Sequence, residues 1–176
     1  MNLYLIPAKA AYEPGSKVLK QLVRKLKNSG IIGGYYDKEL QQFAPGSEAG
    51  GVFEDLRKGV APFTFIEFCE YDEPHFVPDS HGEGFDATCP HCDESIEDGV
   101  VNVAIDAFND GEVETFDCPE CDEKIEMSEL PCLIDTATVR FAVYIRDAAQ
   151  NDLSTNMREI LAEVTGQRFR VIEESS

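Results

Sequence analysis

The sequence lacks long apolar runs and has few histidines. No stretch approaches the roughly 18 consecutive apolar residues that a membrane span requires, so none is expected. The first residues, MNLYLIPAKAAYEPG, lack the basic start and apolar run of a secretory signal, and we expect a cytoplasmic protein. The three histidines all fall within residues 75–91, which gives little material for a Ser/His/Asp or Cys/His site. No catalytic residue is therefore predicted.

Basic residues are also scarce, with 15 Lys and Arg against 34 Asp and Glu and a net charge of −19. The imbalance is uneven along the chain. Residues 86–131 contain fifteen acidic side chains and a single basic one, Lys124, whereas residues 1–60 contain nine basic and six acidic. A charge of this size repels phosphate backbones at long range. Nucleic acid is thus disfavoured as a partner.

Cysteine is the most informative residue that is present. Four of the six cysteines form two matched motifs, Cys89-Pro-His-Cys92 and Cys118-Pro-Glu-Cys121. Paired Cys-x-x-Cys motifs in a reducing compartment favour metal, and four thiolates fill the tetrahedral shell of Zn²⁺ without an open catalytic position. We predict a structural Zn²⁺ site whose ligands are Cys89, Cys92, Cys118 and Cys121.

Residues 86–131 resemble a zinc ribbon, in which short β-hairpins carry two such cysteine motifs. The segment between the motifs is read as a hairpin. Residues 100–108 form its first strand, Asn109-Asp110-Gly111 its turn, and residues 113–116 its return strand. The resemblance implies a metal-stabilised module and does not imply one particular function.

The remaining chain alternates strand and helix patterns. Strands are predicted at residues 2–6, 62–69, 138–146 and 168–172, and amphipathic helices follow the first and third of them. This order resembles the split βαβ arrangement of ferredoxin-like folds. The predicted fold is therefore α+β. A discontinuous core at 1–85 and 132–176 would carry the 86–131 zinc ribbon between its second and third strands, and another α+β arrangement remains the alternative.

Two connecting segments are harder to assign from the sequence. Residues 31–60 are rich in glycine and are read as an irregular connection with a short helix at 37–43. Residues 70–86 are acidic and contain proline and glycine, so they are read as a linker. His75 and His81, with Asp79 and Glu83, match no strong metal motif, and a solvated acidic loop is preferred.

One face of the predicted sheet combines arginine with tyrosine. The candidate interaction residues are Tyr4, Arg140, Tyr144, Arg146, Arg168 and Arg170. Such a face resembles the open sheets that bind RNA. A solvated sheet face, or a docking surface for the acidic module or for another subunit, are the alternatives.

These patterns favour a small acidic binding protein that engages a basic protein partner, as an immunity protein, an inhibitor or an adaptor does. Complementary charge steers such encounters, and a zinc-stabilised surface lowers the ordering cost of binding. Two alternatives remain open: a nucleic-acid-associated protein that uses the arginine and tyrosine face, and an enzyme with a site near residues 31–60.

Overall fold

Six strands form one sheet in the computed structural model, which describes residues 1–79 and 84–174. The strands are β1 (Asn2–Pro7), β2 (Ile32–Asp37), β3 (Gln42–Pro45), β4 (Phe65–Val77), β7 (Ala137–Arg146) and β8 (Phe169–Glu174). Their order across the sheet is β2-β3-β4-β7-β1-β8, and β1 runs antiparallel to both of its neighbours. The predicted α+β class is confirmed in this coarse form.

Three α-helices and a small second sheet complete the described chain. The helices are α1 (Gly15–Asn28), α2 (Asp98–Asn109) and α3 (Thr155–Thr165), and strands β5 (Thr115–Asp117) and β6 (Lys124–Glu126) pair antiparallel. Short 3-10 turns occur at Ala49–Val52 and Met127–Glu129. Among the described residues, no helix combines the length and the apolar character that crossing a bilayer requires.

The chain folds into two compact units. The first comprises Met1–Glu70 and Phe141–Ser176, and the second is Tyr71–Arg140. Each unit has its own apolar core. The first core is built from one face of β1 and β7 together with α1 and α3, and its members include Leu5, Leu22, Phe141, Val143 and Leu161. The unit boundaries fall within β4 and β7.

Helices α1 and α3 lie where their apolar periodicity predicts them. Leu22 and Leu26 of α1 are completely buried, as expected for residues four apart on one helix face. Helix α3 begins at the cap residue Ser154, whose Oγ accepts a hydrogen bond of 3.1 Å from the Met157 N–H. It ends at Gly166, whose φ of 70° is the left-handed conformation that glycine adopts readily.

Replacement of Ser154 by alanine should lower the free energy of unfolding of the first unit by about 1–2 kcal/mol. The substitution removes the cap at Met157 and the hydrogen bond that the Ser154 hydroxyl donates to the Gly51 carbonyl. Urea denaturation provides the measurement. Thr155→Ala is the neighbouring control, and an equal loss in the two variants would contradict the capping role of Ser154.

The predicted irregular connection at 31–60 is wrong in its first half, because β2 and β3 form a hairpin there. Tyr35 lies opposite Phe43, with ring centroids 4.8 Å apart. The turn between the strands is held by Asp37, whose Oδ1 accepts hydrogen bonds from the backbone N–H groups of Glu39 and Leu40. The glycine content concealed this hairpin, since Gly33 and Gly34 weaken the strand pattern.

The predicted linker at 70–86 is wrong in its first half, because β4 continues to Val77, and residues 80–83 of that segment lie outside the described residues. The far end of the strand is held by the side chain of Asn109. Its Oδ1 accepts a hydrogen bond of 2.7 Å from the Phe76 N–H, and its Nδ2 donates one of 3.3 Å to the Phe76 carbonyl. A partner this distant in sequence leaves no local signal.

The predicted hairpin at 100–116 is corrected to helix α2 followed by β5. Residues 101, 104, 105 and 108 are all buried, which is helical spacing. The β-branched residues Val100, Val101 and Val103 favoured a strand in the sequence, but tertiary packing overrides such a propensity. Asp110 and Gly111 follow the helix end, and the hairpin of this unit is β5–β6, around the second cysteine motif.

Candidate metal centre

The two cysteine motifs belong to a longer repeat that the sequence analysis missed. Cys-Pro-x-Cys-Asp-Glu-x-Ile-Glu occurs at residues 89–97 and again at residues 118–126. Ile96 and Ile125, at equivalent positions, are 2% and 1% exposed. A comparison of the chain with itself would have revealed the repeat.

Both copies of the repeat have the same backbone conformation. Cys89 N–H donates to the Glu94 carbonyl at 2.9 Å, and Cys118 N–H donates to the Glu123 carbonyl at 2.9 Å. In each copy the N–H of the residue four positions after the first cysteine donates back to that cysteine's carbonyl at 3.0 Å. Those residues, Asp93 and Asp122, have φ values of 61° and 59°, in the left-handed region that Asp tolerates better than most residues.

A short strand pairing flanks each motif. Thr88 bridges Ser95 around the first motif, and β5 pairs with β6 around the second, where Asp117 lies opposite Lys124. Each cysteine motif is therefore the tip of a tight hairpin. This arrangement brings two sulfur atoms of each copy to the same end of the hairpin, which is how a pair of hairpins can enclose one ion.

The four sulfur atoms form a compact cluster and all lie within 4.8 Å of one another. The Sγ atoms of Cys89 and Cys121 are 3.8 Å apart, and those of Cys92 and Cys118 are 3.9 Å apart. A tetrahedral site with metal–sulfur bonds of about 2.3 Å has sulfur–sulfur distances of about 3.8 Å. All four cysteines are free, and the two separations above are far longer than the roughly 2.05 Å of a disulfide. The cluster is thus close enough to hold a metal ion.

Backbone N–H groups face the cysteine sulfurs. His91 N–H donates to Cys89 Sγ and Glu120 N–H donates to Cys118 Sγ, each at 3.4 Å. Burial raises the pKa of Cys89, but hydrogen bonds from the N–H groups of His91 and Cys92 and from neighbouring thiols outweigh it, and lower the pKa to about 7. One thiolate is therefore readily formed.

Two other thiols of the cluster, those of Cys92 and Cys121, have raised pKa values. A backbone hydrogen bond from Glu123 lowers the pKa of Cys121, but burial and the three neighbouring cysteines raise it to about 12. Four adjacent thiolates repel one another, so a full set of thiolates requires a bound cation to balance the charge. The chemistry of the donor set therefore fits a thiophilic metal ion.

The sulfur cluster lies on the apolar core of the second unit. That core consists of Phe76, Phe85, Ala87, Cys89, Ile96, Val101, Ala104, Ile105, Phe108, Cys118, Ile125, Met127 and Leu130. Asp98 at the start of α2 accepts hydrogen bonds from the N–H groups of Gly84 and Phe85, which ties the chain before the first motif to the helix. Cys89 and Cys118 are themselves members of this core, so the sulfur cluster and the apolar core share residues.

The residues inside and beside the motifs differ between the two copies. His91 is exposed, and its Nε2 lies 3.0 Å from the carbonyl oxygen of Lys124. The equivalent of His91 in the second copy is Glu120, and the equivalent of Lys124 in the first is Ser95. The acidic residues Glu94, Glu97, Glu123 and Glu126 are exposed in both copies. The exposed surface of both copies of the repeat is consequently acidic.

The arginine and tyrosine face is only partly assembled as an interaction surface. Tyr4 lies opposite Tyr144, with ring centroids 4.8 Å apart, but Tyr4 is only 6% exposed. Burial raises the pKa of Tyr144 to about 12, and its hydroxyl donates to Glu174 at 3.3 Å. The Arg146 guanidinium donates to the Tyr144 hydroxyl at 3.3 Å.

The remaining arginines of that face have different surroundings. Arg140 is partly buried and donates to the backbone carbonyl of Asp72, whereas Arg168 and Arg170 are exposed at and just before β8. Arg146 is exposed at the end of β7, so the exposed cations of the face are divided between β7 and the β8 edge, while Tyr4 between them is buried.

The histidine at residue 75 is not part of the metal cluster. Its ring stacks on Tyr71 at a centroid distance of 3.9 Å, and its Nε2 lies 3.3 Å from Asp79 Oδ2. His81 and Glu83, the other residues of the candidate second metal site, lie outside the described residues. In the described part of the chain, the cysteine cluster is the group of metal-binding side chains that the structure assembles.

Comparison with known proteins does not assign the chain to a family. No protein-family model matches the chain, and searches of curated proteins and of solved structures return no match. The function is therefore inferred from the residues themselves.

Proposed function

We propose that this chain is a binding protein whose second unit, held by one structural Zn²⁺, presents an acidic surface to a basic protein partner. Four thiolates suit Zn²⁺ and leave no open coordination position, so the metal stabilises shape instead of performing chemistry. The paired hairpins support a zinc-ribbon assignment for this module. The strand order β4-β7-β1-β8, with α1 and α3 after the first and third of these strands in sequence, supports a ferredoxin-like core.

The observation that carries this proposal is where the net charge lies. Residues 71–140 contain 20 acidic and 2 basic side chains, a net charge of −18. The rest of the chain contains 14 acidic and 13 basic side chains, a net charge of −1. A net negative charge that served only solubility would have no reason to be concentrated in the unit that the metal cross-links.

Rigidity and charge together favour protein recognition. Complementary charge raises association rates and suppresses wrong partners, while a preformed surface avoids much of the ordering cost of binding. A metal that fixes two hairpins beside each other holds their carboxylates at constant separations. The acidic unit is therefore suited to a partner with a basic surface of matching spacing.

The two alternative functions find less support in the described residues. A nucleic-acid sheet face needs accessible aromatic rings on which bases can stack, and Tyr4 is 6% exposed. An enzyme near residues 31–60 would have to work without histidine or cysteine in that segment. The first 15 residues of the segment largely form β2 and β3.

A capture experiment tests the proposed function. The metal-loaded chain is immobilised and incubated with a cell extract of its source organism. We expect it to retain a basic protein that is released by added salt. Neutralisation by Glu94→Gln, Glu123→Gln and Glu126→Gln together should weaken that retention about tenfold, since each lost rim charge changes binding by a few tenths of a kcal/mol to about 1 kcal/mol.

The matched control is Glu39→Gln, Glu48→Gln and Glu159→Gln, three exposed residues of the first unit that give the same change in net charge. This control should retain the partner as the unaltered chain does. Equal losses in the two triple variants would indicate a general charge effect, and the absence of any retained basic protein would refute the proposal.

A further inference from the structure

Helix α1 presents a basic stripe that the proposed function does not use. The helix contains five basic residues and no acidic residue. The basic stripe consists of Lys17, Lys20 and Arg24. These residues are exposed and recur at a spacing of three and four residues, so they lie on one helix face. Two shallow depressions, of about 430 and 550 Å³, lie along this face, and Gln21 and Arg24 line both of them.

The basic residues of α1 differ in whether another side chain of the molecule contacts them. Lys25, beside it, forms an ion pair with Glu163 on α3, and Lys27 lies 5.0 Å from the ring centroid of Tyr35. For Lys17, Lys20 and Arg24, the described part of the chain supplies no carboxylate within ion-pair distance. These three cations are thus available to an external anionic surface.

The stripe is unfavourable for the helix itself. Like charges three or four residues apart destabilise a helix by about 0.2–0.5 kcal/mol per pair. Lys17 also lies in the first turn, where the helix dipole favours acidic residues and none is present. In a chain with 34 acidic residues, glutamate at these positions would stabilise α1. Residues that lower the stability of their own helix and form no compensating contact are expected at binding surfaces.

We infer that the basic stripe of α1 docks onto the acidic second unit of another copy of this chain. The inference rests on the proposed role of that unit as a surface for basic proteins. Charge complementarity supports a second copy as the occupant, because every molecule carries both the stripe and a unit of charge −18. The interface joins two different surfaces, so it is head-to-tail and can continue to further copies.

The character of the stripe also favours a protein partner over a nucleic acid. It has no aromatic side chain among its exposed residues on which a base could stack, and the chain as a whole repels polyphosphate. Contacts between exposed lysines and carboxylates are individually weak and screened by salt. Self-association should accordingly be reversible and salt-dependent.

Sedimentation of the metal-loaded protein at two ionic strengths tests the inference. At about 0.02 M NaCl the weight-average mass should rise at least about twofold with protein concentration, and at about 0.5 M NaCl the protein should be monomeric. The triple variant Lys17→Glu, Lys20→Glu and Arg24→Glu should remain monomeric in both buffers.

The chain offers a closely matched control in Lys38→Glu, Arg57→Glu and Lys58→Glu. These three residues of the first unit are also exposed, and the variant replaces the same residue types with the same change in net charge. It should associate as the unaltered chain does. Equal loss of association in both triple variants would overturn the inference, since net charge alone would then explain it.

Mixing distinguishes the docking surfaces from each other. The α1 variant, labelled and monomeric alone, retains its acidic unit and should bind the unlabelled wild-type chain at low salt. Failure to bind would overturn the assignment of the acidic unit as the complementary surface.

Two further results separate this inference from other readings. If the wild-type chain is monomeric at low salt and its α1 stripe binds a short single-stranded oligonucleotide, the occupant is nucleic acid and the inference is overturned. If the chain remains monomeric but still captures a basic protein from extract, the inference is overturned while the proposed function stands. Self-association without capture of a foreign protein would support the inference and refute the proposed function.

Discussion

Replacement of Cys118 by serine is expected to unfold the second unit and to leave the first unit folded. Each unit has its own buried core, and the second also contains four cysteine sulfur atoms that lie within 4.8 Å of one another. Structural Zn²⁺ contributes on the order of 10–16 kcal/mol to the folding of small zinc domains. A serine hydroxyl is a poor substitute for a thiolate, so most of that contribution should be lost.

Hydrogen exchange measures this outcome residue by residue. The backbone amides of α2 between Val101 and Phe108 should lose their protection in the variant, and also in the unaltered protein after chelation. The amides of Leu3, Leu5 and Val143 in the first unit should remain protected. Metal analysis should find one zinc ion per chain before chelation.

Cys132→Ser is the matched control for the loss of a ligand. Burial raises the pKa of Cys132 to about 11, and this cysteine lies outside the sulfur cluster. Its replacement should preserve both the bound metal and the protection of α2. Protection of α2 that survives chelation would contradict the structural role of the metal.

Replacement of Phe141 by alanine should destabilise the first unit by about 3–5 kcal/mol. Phe141 on β7 is completely buried, and its ring centroid lies 6.2 Å from that of Tyr12 and 6.4 Å from that of Phe169. The substitution leaves a cavity between the sheet and the helices, because the surrounding elements can relax only partly.

Urea unfolding followed at first-unit amides provides the measurement, with the protein kept in its metal-loaded form. Tyr36→Ala is the control, since Tyr36 is an aromatic residue of the same unit that is 58% exposed. It should lose about 1 kcal/mol or less. Similar losses in the two variants would show that Phe141 is not central to this core.

The sequence predicted the elements whose signals are local. Helix α3 has its cap at Ser154 and its stop at Gly166, and its buried residues recur with helical spacing. The cysteine motifs are local as well, because each Cys-x-x-Cys pair positions two ligands without help from distant residues. The sulfur cluster of the structure agrees with this part of the prediction, while the identity of the metal stays a prediction.

The elements that were missed depend on distant contacts. Helix α2 contains a run of β-branched residues, and its helical state is stabilised by burial of Val101, Ile105 and Phe108. The end of β4 is held by Asn109, 33 positions further along the chain. Tyr4 is likewise buried by tertiary contacts that the local sequence does not reveal. Strand alternation alone therefore predicted that its ring lies on an open sheet face.

The near-identity of the two cysteine motifs has a consequence for recognition. Equivalent sulfur pairs are separated by 3.8 and 3.9 Å, and equivalent backbone hydrogen bonds have equal lengths, as expected if an approximate half-turn about the cluster relates the two hairpins. A partner that contacted only the shared residues, such as Glu94 and Glu123, would bind equally well in two opposite orientations. The two copies differ at two pairs of equivalent positions, where His91 corresponds to Glu120 and Ser95 corresponds to Lys124. Those four positions therefore carry the information that selects one binding orientation over its reverse.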